Sequence, residues 1–196
     1  AGEAATIILA LLLGLALPVT ALQILWVNLI SATTVGIALA FEPTEERTMQ
    51  RPPRPRAAPL LSGQLVWLIA LAALLFTGGV FGIYGYALQR GYPIELARTL
   101  AMNTLVVMEI FYLFYIRHLH GTSLTRQAVR GTRAVWAAVL TVIAGQFAVT
   151  YLPPLQAVFE TRPVALGDGV LVVAIGAALL ALVELEKRLR LRWRRG

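Results

Sequence analysis

The sequence contains no cysteine, so neither a disulfide nor a thiolate metal site can form. Acid is nearly as scarce: ten Asp and Glu occur in 196 residues, and Asp168 is the only aspartate. The chain opens AGEAATIILALLLGLAL, with no Met and no basic stretch ahead of the apolar run. That excludes the basic start that a secretory signal needs. No internal repeat is evident, which argues against a secondary transporter built on inverted halves. Two histidines, His118 and His120, lie at i and i+2. That spacing sends them to different sides of a helix, so they do not make a metal pair.

What the sequence has in excess is apolar length. Hydrophobic residues make up 58% of it, against about 45–50% in an ordinary soluble domain. The apolar residues fall into six runs of spanning or near-spanning length, about 3–17, 22–41, 64–88, 96–116, 134–151 and 170–187. A bilayer core asks for about 20 residues of helix. Backbone polar groups in lipid must pair within the segment, which makes helices the economical form. The expected fold is therefore all-α: a polytopic membrane bundle of about six transmembrane helices. The first run, Glu3 to Leu17, has 15 residues and would rise only roughly 22 Å, short of a hydrocarbon core of about 30 Å. It reads as a helix truncated at its front, and the chain as a fragment of a longer protein.

The net charge of +7 could point to nucleic acid, but its distribution points to lipid topology. Fourteen Lys and Arg lie in 42–63, 117–133 and 187–196, and only Arg90, Arg98 and Arg162 lie in the alternate connections. By the positive-inside rule the basic set is cytoplasmic, and both chain ends with it. No nucleic-acid partner is expected. Segment 42–63, with its RPPRPR, reads as a stiff extended cytoplasmic loop. The basic tail 188–196 reads as an anchor for anionic headgroups with Trp193 at the interface, or as a partner-binding tail.

With acids so few, each can be placed. Glu42, Glu45, Glu46, Glu95, Glu160 and Asp168 fall in loops or at segment ends, and Glu184 and Glu186 sit beside basic residues at the end of the last run. Glu3 and Glu109 remain. Glu109, in NTLVVMEIFYLFY, is mid-helix, where a carboxyl costs about 2.5–3.5 kcal/mol on insertion scales. It is either a protonated acid bonded to a neighbouring helix or a cation ligand or proton carrier. A second polar cluster interrupts ILWVNLISATTVGIALAFEP, residues 24–43. Asn28, Ser31 and Ala32 share a helical face at i, i+3 and i+4. Asn28 and Ser31 offer oxygens of the kind hard cations take. The alternative is interhelical hydrogen bonding by small polar residues.

The run LPVTALQILWVNLISATTVGIALAFEP followed by MQRPPRPRAAPLLSG resembles the membrane domain of type II P-type cation-transporting ATPases, the group of the calcium and sodium/potassium pumps. The resemblance is strongest over residues 2–63 and continues in topology to residue 187. It implies the fifth to tenth transmembrane helices of a ten-helix transport domain. It further implies that Glu3 (in Gly2–Glu3), Asn28, Ser31 and Glu109 are ligands of the transported cation. Where the calcium pumps keep an aspartate bridging two sites, this chain has Ala32, followed by Thr33 and Thr34. Fewer carboxylates fit one ion per cycle, monovalent or a proton, better than two calcium ions. The phosphorylation motif DKTGT and the dephosphorylation motif TGES do not occur. The resemblance thus implies no ATP hydrolysis by this chain alone, no catalytic or cofactor-binding residue in it, and ATP with Mg2+ handled by the parent pump's cytoplasmic domains. The rival expectation is a stand-alone or truncated six-helix scaffold without catalysis.

Overall fold

A computed structural model describes residues 2–12, 14–40, 63–117 and 133–193, with side chains described except at 31–35, 37–39, 64, 117, 133–134 and 191–193. All regular structure among the described residues is helical. In chain order the helices are α1 (Gly2–Leu12), α2 (Ala21–Ala40), α3 (Gly63–Gln89), α4 (Ile94–Arg117), α5 (Arg133–Tyr151), α6 (Pro153–Phe159) and α7 (Leu166–Trp193). Segment 42–62, His118, His120 and residues 194–196 of the basic tail lie outside the described residues.

Among the described residues, three helical stretches are long and apolar enough to cross a membrane: Leu65–Gln89, Ile94–Ile116 and Leu166–Arg190. A fourth is reached if α5 and α6, bent by 85° at their junction, count as one span. Two further apolar stretches, Gly2–Leu12 and Ala21–Ile30, are shorter. The exterior is studded with large apolar side chains such as Leu12, Leu25, Leu74, Leu140 and Phe147. An apolar outside suits lipid as the solvent, and the chain is an all-α integral membrane bundle.

The helix ends follow local chemistry. The helix expected over 3–17 stops at Leu12. Gly14 takes φ +63°, the Gly14 N–H donates to the Leu11 carbonyl and the Leu15 N–H donates to the Ala10 carbonyl. These are the two bonds of a Schellman stop, which needs a residue that tolerates a left-handed backbone. Residues 15–19 then run on without helix, and Arg98 Nε of α4 donates to the Leu17 carbonyl at 3.1 Å. Helix α2 opens with a reciprocal capping box: the Gln23 N–H donates to Thr20 Oγ1 at 3.3 Å and the Thr20 N–H to Gln23 Oε1 at 3.1 Å.

The connection expected over 152–168 contains α6. The proline pair that ends α5 also begins α6, since Pro is at home in a first helical turn, where its missing N–H is not needed. Glu160, at φ 53°, ends α6. The last helix, expected over 170–187, runs Leu166–Trp193, so Arg188, Arg190 and Arg192 of the basic tail are helical.

Helix α4 is the hub, packing on α7, α3, α2 and α5. Its span is 56% buried, against 28% for α3 and α7. Close approach is built in at Gly176, where a Cβ would come within 2.6 Å of Phe111 Cδ2 and 2.7 Å of Val107 Cγ1. The helix bearing Glu109 is thus the most enclosed one, set by neighbours on four sides.

Candidate functional site

A cavity of about 360 Å³ opens among α1, α2, α3 and α4. Glu3 from α1, Asn28 from α2 and Glu109 from α4 all line it. Its remaining wall is largely apolar or aromatic, including Ile69, Phe76, Tyr112 and Leu113. Three of the four residues expected to be cation ligands therefore meet at one place. The fourth, Ser31, lies on α2 one turn beyond Asn28, and its side chain lies outside the described residues. The same holds for Ala32, Thr33 and Thr34.

Local folding explains the convergence. Glu3 sits in the first turn of α1, which packs along α3. Asn28 sits two turns into α2, whose start the Thr20–Gln23 box fixes. Glu109 lies past the middle of α4, in the hub. Asn28 and Glu3 face the same cavity. Glu3 Oε1 is buried and has no hydrogen-bond partner among the described residues. A buried acceptor left unmatched costs about 1–3 kcal/mol. Glu109 is half-buried and Asn28 is exposed.

The chemistry available is that of hard oxygen donors: two carboxyl groups and one amide in an apolar-walled space. Charge in such a space is neutralised by a bound cation or by a proton. Among the described residues no group of three or more His, Asp or Glu is arranged to hold a metal. The polar part of the cavity wall consists of two carboxyl groups and one amide.

A second polar group inside the bundle was not anticipated from sequence. Trp26 Nε1 of α2 donates to Gln146 Oε1 of α5 at 3.1 Å. Gln146 Nε2 in turn donates to Asn103 Oδ1 of α4. Thr150 Oγ1 donates to the same Asn103 oxygen at 3.1 Å. The signal was present, since Asn103 and Gln146 interrupt apolar runs just as Glu109 does, but neither carries a charge to draw attention. Glu184 and Glu186 lie beside basic residues as expected: Glu184 pairs with Lys187 at 3.5 Å and Arg188 at 3.7 Å, and Glu186 with Arg190 at 3.4 Å.

Comparison with known proteins places the chain in context. Residues 16–189 match the family model described as Cation transporting ATPase, C-terminus. The chain is 39% identical over 189 residues to the probable cation-transporting ATPase F of Mycobacterium bovis and Mycobacterium tuberculosis, covering 94% of this chain and 20% of that protein. It is 32% identical over 167 residues to the cation-transporting ATPase pma1 of Synechocystis, covering 83% of this chain and 18% of that protein. It is 31% identical over 179 residues to the calcium-transporting ATPase of Bacillus subtilis, covering 90% of this chain and 20% of that protein. The chain spans about a fifth of the length of the curated relatives it matches.

Proposed function

Because the chain belongs to the cation-transporting ATPase C-terminal family, we propose that it serves as the ion-translocating membrane part of an ATP-driven cation pump and supplies part of an intramembrane cation site. Glu3, Asn28, Ser31 and Glu109 donate side-chain oxygens to the transported cation. The observation that carries this is the convergence of Glu3, Asn28 and Glu109 on one cavity from three different helices. Glu3 and Glu109, 106 positions apart in sequence, have no local reason to share a space.

Mechanistically, the cavity binds the ion through carboxylate and amide oxygens while its apolar wall keeps bulk water from screening them. Phosphorylation of the pump's cytoplasmic domains, using ATP and Mg2+, shifts the helices and exposes the site to the other side of the membrane. Those domains and the preceding membrane helices are the partners of this chain, with the lipid bilayer around it. Both ends face the cytoplasm, on the strength of the uneven Lys and Arg distribution, and the mycobacterial relatives favour a bacterial plasma membrane. With Ala32 in place of a carboxylate, two acids and not three face the ion, which favours one ion per cycle.

The test is Glu109→Gln in the complete pump, assayed for ATPase activity against a panel of cations. Loss of one charged ligand is worth about 1.5–3 kcal/mol, so half-maximal stimulation moves to about ten- to a hundredfold higher cation. Unchanged cation dependence removes Glu109 from the site.

A further inference from the structure

The Trp26–Gln146–Asn103 hydrogen bonds tie α2 to α4 by way of α5, and these two helices carry Asn28 and Glu109. None of the three bonded residues lines the 360 Å³ cavity. Trp26 and Asn28 are two residues apart, about 200° around a helix. The bonded face of α2 is therefore turned away from the face that presents Asn28. On α4, six residues separate Asn103 from Glu109, which again sets them on different faces. The polar link lies behind the cavity and joins two of the helices that form it.

The donors and acceptors in this link leave one arrangement. An indole N–H only donates, so Gln146 must turn its carbonyl oxygen to Trp26. Its amide NH2 then faces Asn103, whose oxygen accepts both this bond and that from Thr150. Gln146 is 8% exposed and Thr150 2%, so neither can exchange its partner for water at low cost. Packing reinforces the link. A Cβ at Gly145 would stand 3.0 Å from Ile30 Cδ1 and 3.3 Å from Trp26 Cζ2, so α5 seats against α2 at this level. The Trp26 ring also meets Phe159 edge-on, with centroids 5.3 Å apart. At the same end of α2, Gln23 Nε2 donates to the Phe159 carbonyl at 2.9 Å. Gln23, Trp26 and Ile30 lie at i, i+3 and i+7, one continuous stripe of α2.

We infer that Gln146 is a positioning residue for cation binding: by holding Trp26 against Asn103 it sets the rotation of α2, and with it the aim of Asn28 into the cavity shared with Glu3 and Glu109. This rests on the cation site proposed above. A ligand must be held to within about 0.5 Å for its geometry to count, and a helix free to turn about its axis cannot do that. Gln146 touches no ion. It acts through Trp26 and the backbone of α2.

The test uses the complete pump and whichever of Ca2+, Na+, K+, Mg2+ or Mn2+ most stimulates its ATPase activity. Gln146→Leu, Trp26→Phe and the double variant are compared with Glu109→Gln in one assay. Loss of the neutral link is expected to raise the cation concentration for half-maximal activity about five- to tenfold in each single variant. Maximal turnover should stay within about twofold, and the double variant should be no worse than the worse single one. A merely structural role would lower the yield or maximal turnover and leave the half-maximal concentration in place, which overturns the inference. So would full additivity of the two single effects. If Gln146→Leu fails to assemble, Trp26→Phe alone decides by the same split. If Glu109→Gln shifts the half-maximal concentration and the link variants do not, the inference falls and the cation site stands. If Glu109→Gln also leaves it unchanged, the site itself falls.

Discussion

Two of the polar regions between the helices are built in opposite ways. At the link between α2, α5 and α4, Gln146 uses both ends of its amide, and the Asn103 oxygen takes two donors. At the cavity, Glu3 Oε1 has no partner among the described residues, and Asn28 is exposed. Matched polar groups in a low-dielectric interior fix geometry, because breaking any one strands another. An unmatched acceptor is costly, and the proposed cation is the ligand that would complete it. On the proposed reading, the difference separates the part of the interior that holds shape from the part that binds.

That contrast can be broken from its most sensitive point outward. The largest effect is expected for Glu3→Gln in the complete pump, which keeps the shape of the side chain and removes its charge. Half-maximal cation should rise about ten- to a hundredfold, while thermal stability in detergent should hold or rise, since an unmatched buried carboxyl is relieved. A stability loss with unchanged cation dependence would turn Glu3 into a structural residue.

An intermediate effect is expected at a third polar cluster, at the end of α7. Lys187 and Glu184 are 2% and 3% exposed, and the Lys187 ammonium lies 5.4 Å from the centre of the Tyr115 ring. Replacing one partner of a buried pair normally costs about 3–5 kcal/mol. Arg188, 3.7 Å from Glu184, offers a substitute partner, so Lys187→Met should cost about 2 kcal/mol of stability and leave cation affinity alone. A thermal melt beside the ATPase titration checks both halves.

The smallest effect belongs to Trp67→Phe. Its indole donates to Glu186 Oε1 at 3.0 Å from a position 55% exposed, so the melt should move by less than the equivalent of about 0.5 kcal/mol. A large shift there would show that polar contacts at the bundle's rim matter as much as those inside it.

How far the sequence revealed this depends on the element. Helix α4 was legible almost to the residue, because a long apolar run between charged ends has one solution in a membrane. Glu109 and Asn28 stood out for the same reason, as polar groups with no water to meet. The early end of α1 was not legible, since LLLGLAL is apolar throughout and only the left-handed turn at Gly14 stops it. Helix α6 was missed because Pro153 and Pro154 end one helix and start another, and as breakers they announce only the first event. The Gln146 link was missed for a different reason. Which of several uncharged polar residues meet is decided by how helices pair, and local pattern carries no trace of pairing.

The most direct test of the account is equilibrium cation binding to the complete pump, wild type against the Glu3→Gln/Glu109→Gln double variant, without ATP turnover. The account predicts saturable binding in the wild type, weakened about a hundredfold or more in the double variant. Binding of wild-type affinity in the double variant would contradict it, because the cavity would then have lost both carboxylates and kept its ion.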